Sequence, residues 1–166
     1  MRILGIDPGS RVTGYGVVDV DGRRVSYVAS GCIRTGDAGF PQRLRTIFMG
    51  ITQIVNSYSP TELAIEQVFV KHNVASALKL GQARGAAICA AMQSEINVSE
   101  YSPSEVKLAL VGNGRATKEQ VQHMVCVLLK LNGMPQMDAS DALAIALSHA
   151  QRVGTVHRIA QAGVLS

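Results

Sequence analysis

The chain has 166 residues, which is enough for one domain with a hydrophobic core and too few for two ordinary domains. An apolar fraction of 47% is that of a folded protein, and no stretch approaches the roughly 18 consecutive apolar residues of a membrane-spanning helix. Lys and Arg number 16 against 12 Asp and Glu, so the net charge of +4 is compatible with a nucleic-acid partner without requiring one.

The first part of the sequence predicts an antiparallel group of three strands. Arg2 to Asp7 is apolar on successive residues, which is typical of a central strand buried on both faces, and it ends at Pro8-Gly9-Ser10. Thr13 to Asp19 and Arg24 to Ile33 follow as strands, and the Asp21-Gly22 pair between them is a hairpin signal. We therefore expect these three strands to form a meander.

The rest of the sequence predicts alternating helices and strands. Residues 41–58 carry Leu, Ile, Phe and Val at helical spacing and stop before Ser59-Pro60. Glu62 to Glu66 is a second short buried strand, and because a helix leads to it we expect it to run parallel to the first. The remaining predicted elements are a helix at 74–94, a strand at 98–101, and helices at 103–111, 117–131 and 138–152.

These elements predict one α/β domain over residues 1–152, with a mixed five-stranded sheet flanked by helices. Strands 1–3 are expected to be antiparallel, and strands 4 and 5 parallel. Residues 153–166 show little pattern and are expected to form a C-terminal tail.

The N-terminus and the cysteines bear on the cellular location. The first residues lead directly into a predicted strand, without the basic stretch, long apolar segment and cleavage site of a secretory signal. Cys32, Cys89 and Cys126 are odd in number, widely spaced and set in apolar stretches, so we expect buried, reduced thiols. Both features predict a cytoplasmic protein.

Two acidic residues end predicted strands. Asp7 ends the first strand and Glu66 the fourth, so their side chains should emerge side by side at the sheet edge where α/β proteins bind ligands. Acids are depleted in strands and costly at the end of a buried one unless they are paired. Alternatively, Asp7 begins a turn at Pro8-Gly9, and Glu66 reaches solvent from its strand end.

Asp138 and Asp141 open the last predicted helix and, being three residues apart, lie on one face of it. Acids in this position also cap a helix and suit its dipole, which is the alternative interpretation. The helix that follows is apolar almost all round, so its first turn is expected to pack on the sheet with its acids facing something buried. A bound cation would satisfy them.

The four acids Asp7, Glu66, Asp138 and Asp141 would repel one another in a shared pocket. Carboxylate oxygens, without nearby imidazole or thiolate ligands, select Mg²⁺ or Mn²⁺. Two such ions roughly 4 Å apart can activate a water and stabilise the leaving oxygen of a phosphoryl displacement. The pattern therefore predicts a magnesium-dependent nuclease.

Four motifs surround or follow the four acids and stand out by their order and spacing: GIDPGSRVTGYG (5–16), AIEQVF (64–69), LKLGQARG (78–85) and DASDALA (138–144). In these motifs the sequence resembles the RuvC family of bacterial Holliday-junction resolvases, and the resemblance covers about residues 1–150. The resemblance implies an RNase H-like fold, a homodimer, and paired symmetric nicks across a four-way DNA junction in recombination and repair. It also implies RuvA and RuvB, the branch-migration complex, as partners.

The same resemblance assigns roles to individual residues. The four acids take the family's catalytic, metal-binding positions, with two Mg²⁺ per site and Mn²⁺ as a substitute, and Lys118 is counted with the catalytic residues. Phe69 is expected to stack on an unpaired base, with core packing as the alternative, and Lys107 and Lys118 to meet the phosphate near the cut, with ordinary solvated lysines as the alternative. The remaining implied DNA contacts are Arg115 in the turn between those lysines, and Arg11, Lys71, Lys79 and Arg84.

Small residues in the helix predicted at 74–94 would let two backbones approach closely. A two-fold symmetric substrate calls for two active sites related by a two-fold axis, so we expect a dimer formed through helical surface. Packing of these small residues on the chain's own sheet is the alternative, and the sequence does not locate the interface.

Three other classes of protein share parts of this pattern. An actin-like or sugar-kinase-like ATPase uses the same turn as Asp7-Pro8-Gly9, but needs two fused domains that 166 residues cannot supply. A nuclease of the same fold that acts on structured RNA, and a non-catalytic DNA-architectural protein, remain open. ATP turnover without DNA, preference for stem RNA, or magnesium-independent binding without cleavage would identify each of them.

Overall fold

A computed structural model describes residues 1–68 and 73–161 as ten elements around one sheet. In chain order these are β1 (Arg2–Asp7), β2 (Val12–Asp21), β3 (Arg24–Arg34), α1 (Phe40–Tyr58), β4 (Glu62–Glu66), α2 (Val74–Ala91), β5 (Asn97–Tyr101), α3 (Pro103–Val111), α4 (Lys118–Leu129) and α5 (Met137–Gln161).

The sheet has five strands in the order β3-β2-β1-β4-β5. The β1–β2 and β2–β3 pairs are antiparallel, whereas β1–β4 and β4–β5 are parallel. The predicted mixed sheet, with its antiparallel meander and two parallel strands, is confirmed. The central position of β1 agrees with its burial on both faces.

Helices cover both faces of the sheet and divide the core into two layers. On one face, α5 packs with α3 and α4 around Ile3, Ala64 and Leu143. On the other face, α1 and α2 pack around Leu4 and Ile65. Alternate residues of the same strand therefore enter opposite layers, as the pleat of a strand requires.

Glycines of β1 and β2 let α5 lie with its backbone directly on the sheet. A Cβ atom at Gly5 would meet the carbonyl oxygen of Ala142, and one at Gly14 would meet the carbonyl oxygen of Asp138. No side chain could occupy either position without moving the helix. The first turn of α5 therefore lies directly over Gly14, which is the register partner of Asp7 on β2.

The last helix departs from the prediction at both ends. It begins at Met137, so Asp138 lies within its first turn and is not the N-cap residue. It also continues to Gln161, past Arg152, into the segment expected to be a tail. Helix elongation adds one hydrogen bond per residue once a turn exists, so a packed N-terminal half can extend a helix through a segment of weak pattern.

The exposure of the three cysteines differs from the prediction. The three cysteines are free, but Cys89 is exposed and Cys32 and Cys126 are half-buried, so the expectation that all three are buried was wrong. Cys89 lies on an outward-facing part of α2, where an apolar sequence context does not imply burial.

Over residues 1–68 and 73–161, no helix has the length and apolar composition to cross a membrane.

Candidate active site

Asp7 and Glu66 lie side by side at the carboxyl ends of two parallel strands. The ladder between β1 and β4 pairs Ile6 with Ile65, so the two acids are the next residues of each strand. The loop after Asp7 is held by the buried hydroxyl of Thr13, which donates to the carbonyl of Gly9 at 2.9 Å. The predicted meeting of these two carboxyl groups is therefore what the fold produces.

The two carboxyl groups share a proton. The pKa of Asp7 is raised to about 8, mainly by burial and then by the charge of Glu66, a hydrogen bond to Glu66 and the charge of Asp141, with Lys118 opposing them. The pKa of Glu66 is also raised, mainly by burial, although the hydrogen bond that it accepts from Asp7 opposes the rise. These directions fit a hydrogen bond in which the Asp7 carboxyl is the donor and the Glu66 carboxylate the acceptor.

Asp141 joins this pair from the first part of α5. Its carboxylate accepts a hydrogen bond from the Lys118 ammonium at 2.8 Å, and the bond raises the pKa of Lys118. The Asp141 side chain is 20% exposed and that of Lys118 is 62% exposed, so the pair connects the buried acids with solvent. Lys118 is also a positively charged group in direct contact with one of the acids of the site.

A cavity of about 90 Å³ opens beside these groups. Its polar wall includes Glu66, Asp141, Lys107 and Lys118, and apolar residues of α3, α4 and α5 complete it. Lys107 also lies close enough to lower the pKa of Glu66. The structure thus brings both sequence-predicted lysines to the acids.

Asp138 lies on the other side of Asp7 from Glu66. Its carbonyl stands over Gly14, the residue paired with Asp7 on one side and with Cys32 on the other. The charges of both acids act on the Cys32 thiol. Its pKa is raised chiefly by burial and then by the charge of Asp138, and the charge of Asp7 has a smaller effect. The fourth predicted acid is therefore near the site, on its β2–β3 side.

The acids form an electrostatic cluster and not a closed set of metal ligands. Among the residues that the structure describes, no three Asp, Glu, His or Cys side chains are arranged to hold a metal ion as they stand. Asp7, Glu66 and Asp141 interact directly through their charges, and Asp138 joins them through the helix and sheet beneath.

The other predicted DNA contacts occupy different environments. Arg11 is 70% exposed and lies 3.7 Å from Asp37, and Arg115 and Lys79 are also exposed. The Lys79 ammonium lies 5.9 Å from the centre of the Phe40 ring. Phe69 and Lys71 lie outside the described residues.

Arg84 differs from the other predicted phosphate contacts. Its Nε donates to the carbonyl oxygen of Glu66 at 3.0 Å, and one terminal nitrogen lies 2.9 Å from a carboxylate oxygen of Glu100. The side chain is only 19% exposed. Its guanidinium is therefore engaged by acceptors within the protein.

A buried polar group was not anticipated from the sequence. The Tyr101 hydroxyl lies 2.7 Å from Nδ1 of His149, and Nε2 of the same ring lies 3.5 Å from Glu62. His149 stands two turns after Asp141 on α5, and that spacing was its only signal in the sequence. The contact ties α5 to β4 and β5 below the acidic site.

A mixed sheet with acids at the carboxyl ends of its central parallel strands, covered by a helix that supplies further acids, defines the class of RNase H-like nucleases. Comparison with known proteins gives the family. Residues 3–149 match the family described as crossover junction endodeoxyribonuclease RuvC. The chain belongs to this family.

Relatives and solved structures agree with this assignment. The chain is 59% identical to crossover junction endodeoxyribonuclease RuvC of Ectopseudomonas mendocina, over 89% of this chain and 85% of the relative. It is 57% identical to the same enzyme of Methylococcus capsulatus over 96% of both chains. Thermus thermophilus RuvC in complex with a Holliday junction substrate superposes with a TM-score of 0.88 at 34% identity, covering 94% of this chain and 96% of that one.

Membership of the family decides between the classes left open by the sequence. The protein is an endodeoxyribonuclease, an enzyme that hydrolyses phosphodiester bonds in DNA. The ATPase, the RNA-directed nuclease and the non-catalytic architectural protein are therefore not supported. The predicted resemblance and RNase H-like fold are confirmed.

Proposed function

We propose that this chain resolves four-way DNA junctions by paired symmetric nicks, with Asp7, Glu66, Asp138 and Asp141 holding two Mg²⁺ ions at each active site. The observation that carries the proposal is the burial and crowding of carboxyl groups at the ends of β1 and β4, which together raise the pKa of Asp7 to about 8. Repulsion between crowded carboxylates destabilises a fold unless a bound ligand offsets it. Clustered acids with strongly shifted pKa values therefore mark functional sites.

The donor set fits magnesium. Asp7, Glu66 and Asp141 offer hard oxygen ligands, and the proton that Asp7 and Glu66 share stands where a cation would relieve the same repulsion. Mn²⁺ prefers the same ligands and is expected to substitute. When bound, two such ions activate a water and stabilise the leaving oxygen of a phosphodiester.

The lysines complete the site on the side of the cavity. Lys118 balances the charge of Asp141, and Lys107 faces Glu66 across the same opening. A DNA phosphate that enters this cavity would meet two ammonium groups, which offset the repulsion between the acids and the phosphate. Positive charge at the scissile phosphate is also favourable when negative charge develops there.

Exposed basic residues would guide the DNA to this cavity. Arg11, Lys79 and Arg115 are available on the surface, and Lys71 belongs to the same proposal from the sequence alone. Phe69 follows Glu66 by three residues and is proposed to stack on an unpaired base at the crossover. Contacts of this kind bind phosphates and bases of a distorted junction without reading a long sequence.

A homodimer is proposed to supply the second active site. The outer face of α2 supports it, because Val74, Leu78 and Met92 are 64%, 63% and 60% exposed and lie along one side of the helix. Between them Gly81 has nothing within 4 Å of the position of a Cβ atom. An exposed apolar stripe with a flat centre suits close approach of a second copy of the same helix.

The RuvA and RuvB partners and the cytoplasmic location stay proposals that rest on the family and on the sequence. Junction DNA is the partner with structural support, since the Thermus thermophilus relative was solved with a Holliday junction.

The proposed function is tested with a synthetic four-way junction. In Mg²⁺ the native chain should cut two opposite strands at symmetric positions, whereas Asp7→Asn should bind the junction and leave it intact. An exposed acid of the same type provides the matched control, and Asp37→Asn should cut like the native chain, because the Asp37 side chain is fully exposed. Native-speed cleavage by Asp7→Asn would show that the site is elsewhere.

A further inference from the structure

Arg84 reaches the active-site strand from the face of the sheet opposite α5. It belongs to α2, which packs with α1 over Leu63 and Ile65, whereas Ala64 faces the layer that contains α5. The alternation along β4 places the Glu66 side chain on the α5 side. Arg84 therefore does not approach the Glu66 carboxylate, and its Nε bonds to the backbone carbonyl of that residue at 3.0 Å.

Glu66 is the point at which β4 loses its neighbours. On the β1 side the ladder stops at Ile65, one residue earlier, and on the β5 side Glu66 pairs with Tyr101 as the last position. One further backbone bond follows, from Gln67 to the carbonyl of Tyr101. A strand end that is hydrogen-bonded on one side only is where a backbone frays. The hydrogen bond from Arg84 therefore restrains the Glu66 backbone where β1 no longer does.

The other end of the guanidinium forms an ion pair with Glu100, although the geometry of that contact is not that of a hydrogen bond. A terminal nitrogen lies 2.9 Å from Glu100, and the neighbouring position on β4 is Ile65 in the register of the two strands. Glu100 thus neutralises the charge of Arg84 beside β5, and the planar fork spans from one strand to the next. With its charge matched and its side chain 19% exposed, Arg84 acts on Glu66 through geometry and not through long-range attraction.

The position of the Glu66 backbone matters because β4 ends beside β1, where the carboxyl groups of Glu66 and Asp7 emerge next to each other. We propose that Arg84 is a positioning residue for cleavage, which holds the Glu66 backbone against β5 so that the carboxylate enters the site in a fixed direction. It is therefore not a contact for DNA phosphate. This inference rests on the proposed function, since it takes Glu66 to be needed for cleavage.

The test compares Arg84→Lys, Glu100→Gln and Arg45→Lys in the full chain. A lysine retains the positive charge but cannot span Glu66 and Glu100 with one ammonium, so a phosphate contact would survive the change and a positioning fork would not. Glu100→Gln retains the bond between Arg84 and Glu66. Arg45→Lys makes the same substitution at an exposed position of α1 and is the matched control.

Three quantities are measured at a temperature below every variant's melting transition. They are the single-turnover cleavage rate at saturating protein, the Kd for the junction in EDTA, and the affinity for Mn²⁺ without DNA by calorimetry. For Arg84→Lys we expect a rate about 10- to 100-fold lower, since displacement of a site group by about 1 Å costs that much. Its junction Kd in EDTA should stay within about twofold of native, and its Mn²⁺ affinity should fall.

Glu100→Gln should cleave within about threefold of the native rate, and Arg45→Lys should match native in all three measurements. A native rate for Arg84→Lys overturns the proposal, as does a rate loss that follows weaker junction binding in EDTA. Equal losses in Glu100→Gln and Arg84→Lys also overturn it, because the ion pair would then be what matters. Glu66→Gln is measured in parallel, and cleavage by that variant would contradict the proposed function itself.

Discussion

The carboxyl of Asp7 donates a hydrogen bond to the carboxyl of Glu66, so two acids from strands separated in the chain by β2, β3 and α1 hold one proton between them. Parallel pairing of β1 and β4 makes the arrangement unavoidable once both residues end their strands. The proton occupies the position where the proposed cations would act. Proton and metal therefore compete for the same oxygens.

This competition makes metal binding depend on pH. The pKa of Asp7 is raised to about 8, so Asp7 is protonated below that pH and must lose its proton before it can bind a cation. The apparent affinity for Mg²⁺ should therefore increase as pH rises from about 6 to about 9, and should level off above the pKa. Calorimetry in buffers of different ionisation enthalpy should detect about one proton released per site at pH 7.

Asp7→Asn is the control for that experiment. It should bind Mg²⁺ more weakly and with little pH dependence, because the group that titrates has been removed. An affinity of the native protein that is flat over the same range would contradict the shared proton.

The same acid should limit the stability of the metal-free protein. Because the folded-state pKa of Asp7 lies above its unfolded value of 3.8, its favourable contribution is complete at low pH and is lost as pH rises through about 8. In EDTA above pH 8, the unfolding free energy of Asp7→Asn should then exceed that of the native protein by about 1–2 kcal/mol. The variant should therefore also unfold at a higher temperature. Asp37→Asn, at a fully exposed carboxylate, should not change the transition.

The sequence predicted the strands of the site better than it predicted what supports them. Asp7 and Glu66 could be located because each ends a short apolar run, and the intervening helix required the two runs to be parallel. Asp138 and Asp141 were harder to interpret, since an acid in a first helical turn suits the helix dipole whether or not it binds a metal. The position of α5 on the sheet brings both acids near Asp7, and their role in metal binding stays a prediction.

The supporting contacts depend on partners that are distant in the chain. Gly14 has the same appearance as any strand glycine until α5 lies on it, and Arg84 cannot be distinguished from a surface arginine until β4 ends beneath it. Tyr101 and His149 meet across 48 residues by packing alone. Local patterns identified the chemistry, whereas tertiary packing determined which residues hold it in place.

Gly14 should be essential for the placement of Asp138 and Asp141. A Cβ atom there would collide with the Asp138 carbonyl, so Gly14→Ala must move the first turn of α5 away from β2. We expect at least about a tenfold slower cleavage rate and a loss of about 1–3 kcal/mol in unfolding free energy. Gly133→Ala, at an exposed position outside the helices and strands where a Cβ would meet nothing within 4 Å, should leave both unchanged. Native cleavage by Gly14→Ala would mean that the contact of α5 with the sheet does not set the site.

A single charged substitution in the proposed interface should dissociate the dimer into single chains. Leu78 is 63% exposed in the apolar stripe of α2, and Leu78→Glu would place a carboxylate against its symmetry mate across a close interface. Sedimentation at micromolar concentration should give twice the chain mass for native protein and the single-chain mass for the variant. Met49→Glu is the matched control, because Met49 is 57% exposed on α1 and lies outside the stripe. A native protein that sediments as a single chain, or a variant that stays dimeric, would place the interface elsewhere or exclude it.

The buried ring of His149 should make stability fall in mild acid. Burial lowers its pKa, the nearby Arg152 lowers it further, and Glu62 opposes both, so the neutral ring is favoured in the folded protein, where its Nδ1 forms a hydrogen bond with the Tyr101 hydroxyl. Because the folded-state pKa lies below the unfolded value of 6.5, the stability contribution is complete above that value and is lost as pH falls through the folded-state pKa. The melting temperature of native protein should therefore drop between about pH 7 and pH 5, and His149→Gln should flatten that slope while lowering the plateau. His123→Gln, at an exposed histidine, should retain the native slope, and an unchanged slope in His149→Gln would assign the acid sensitivity to another group.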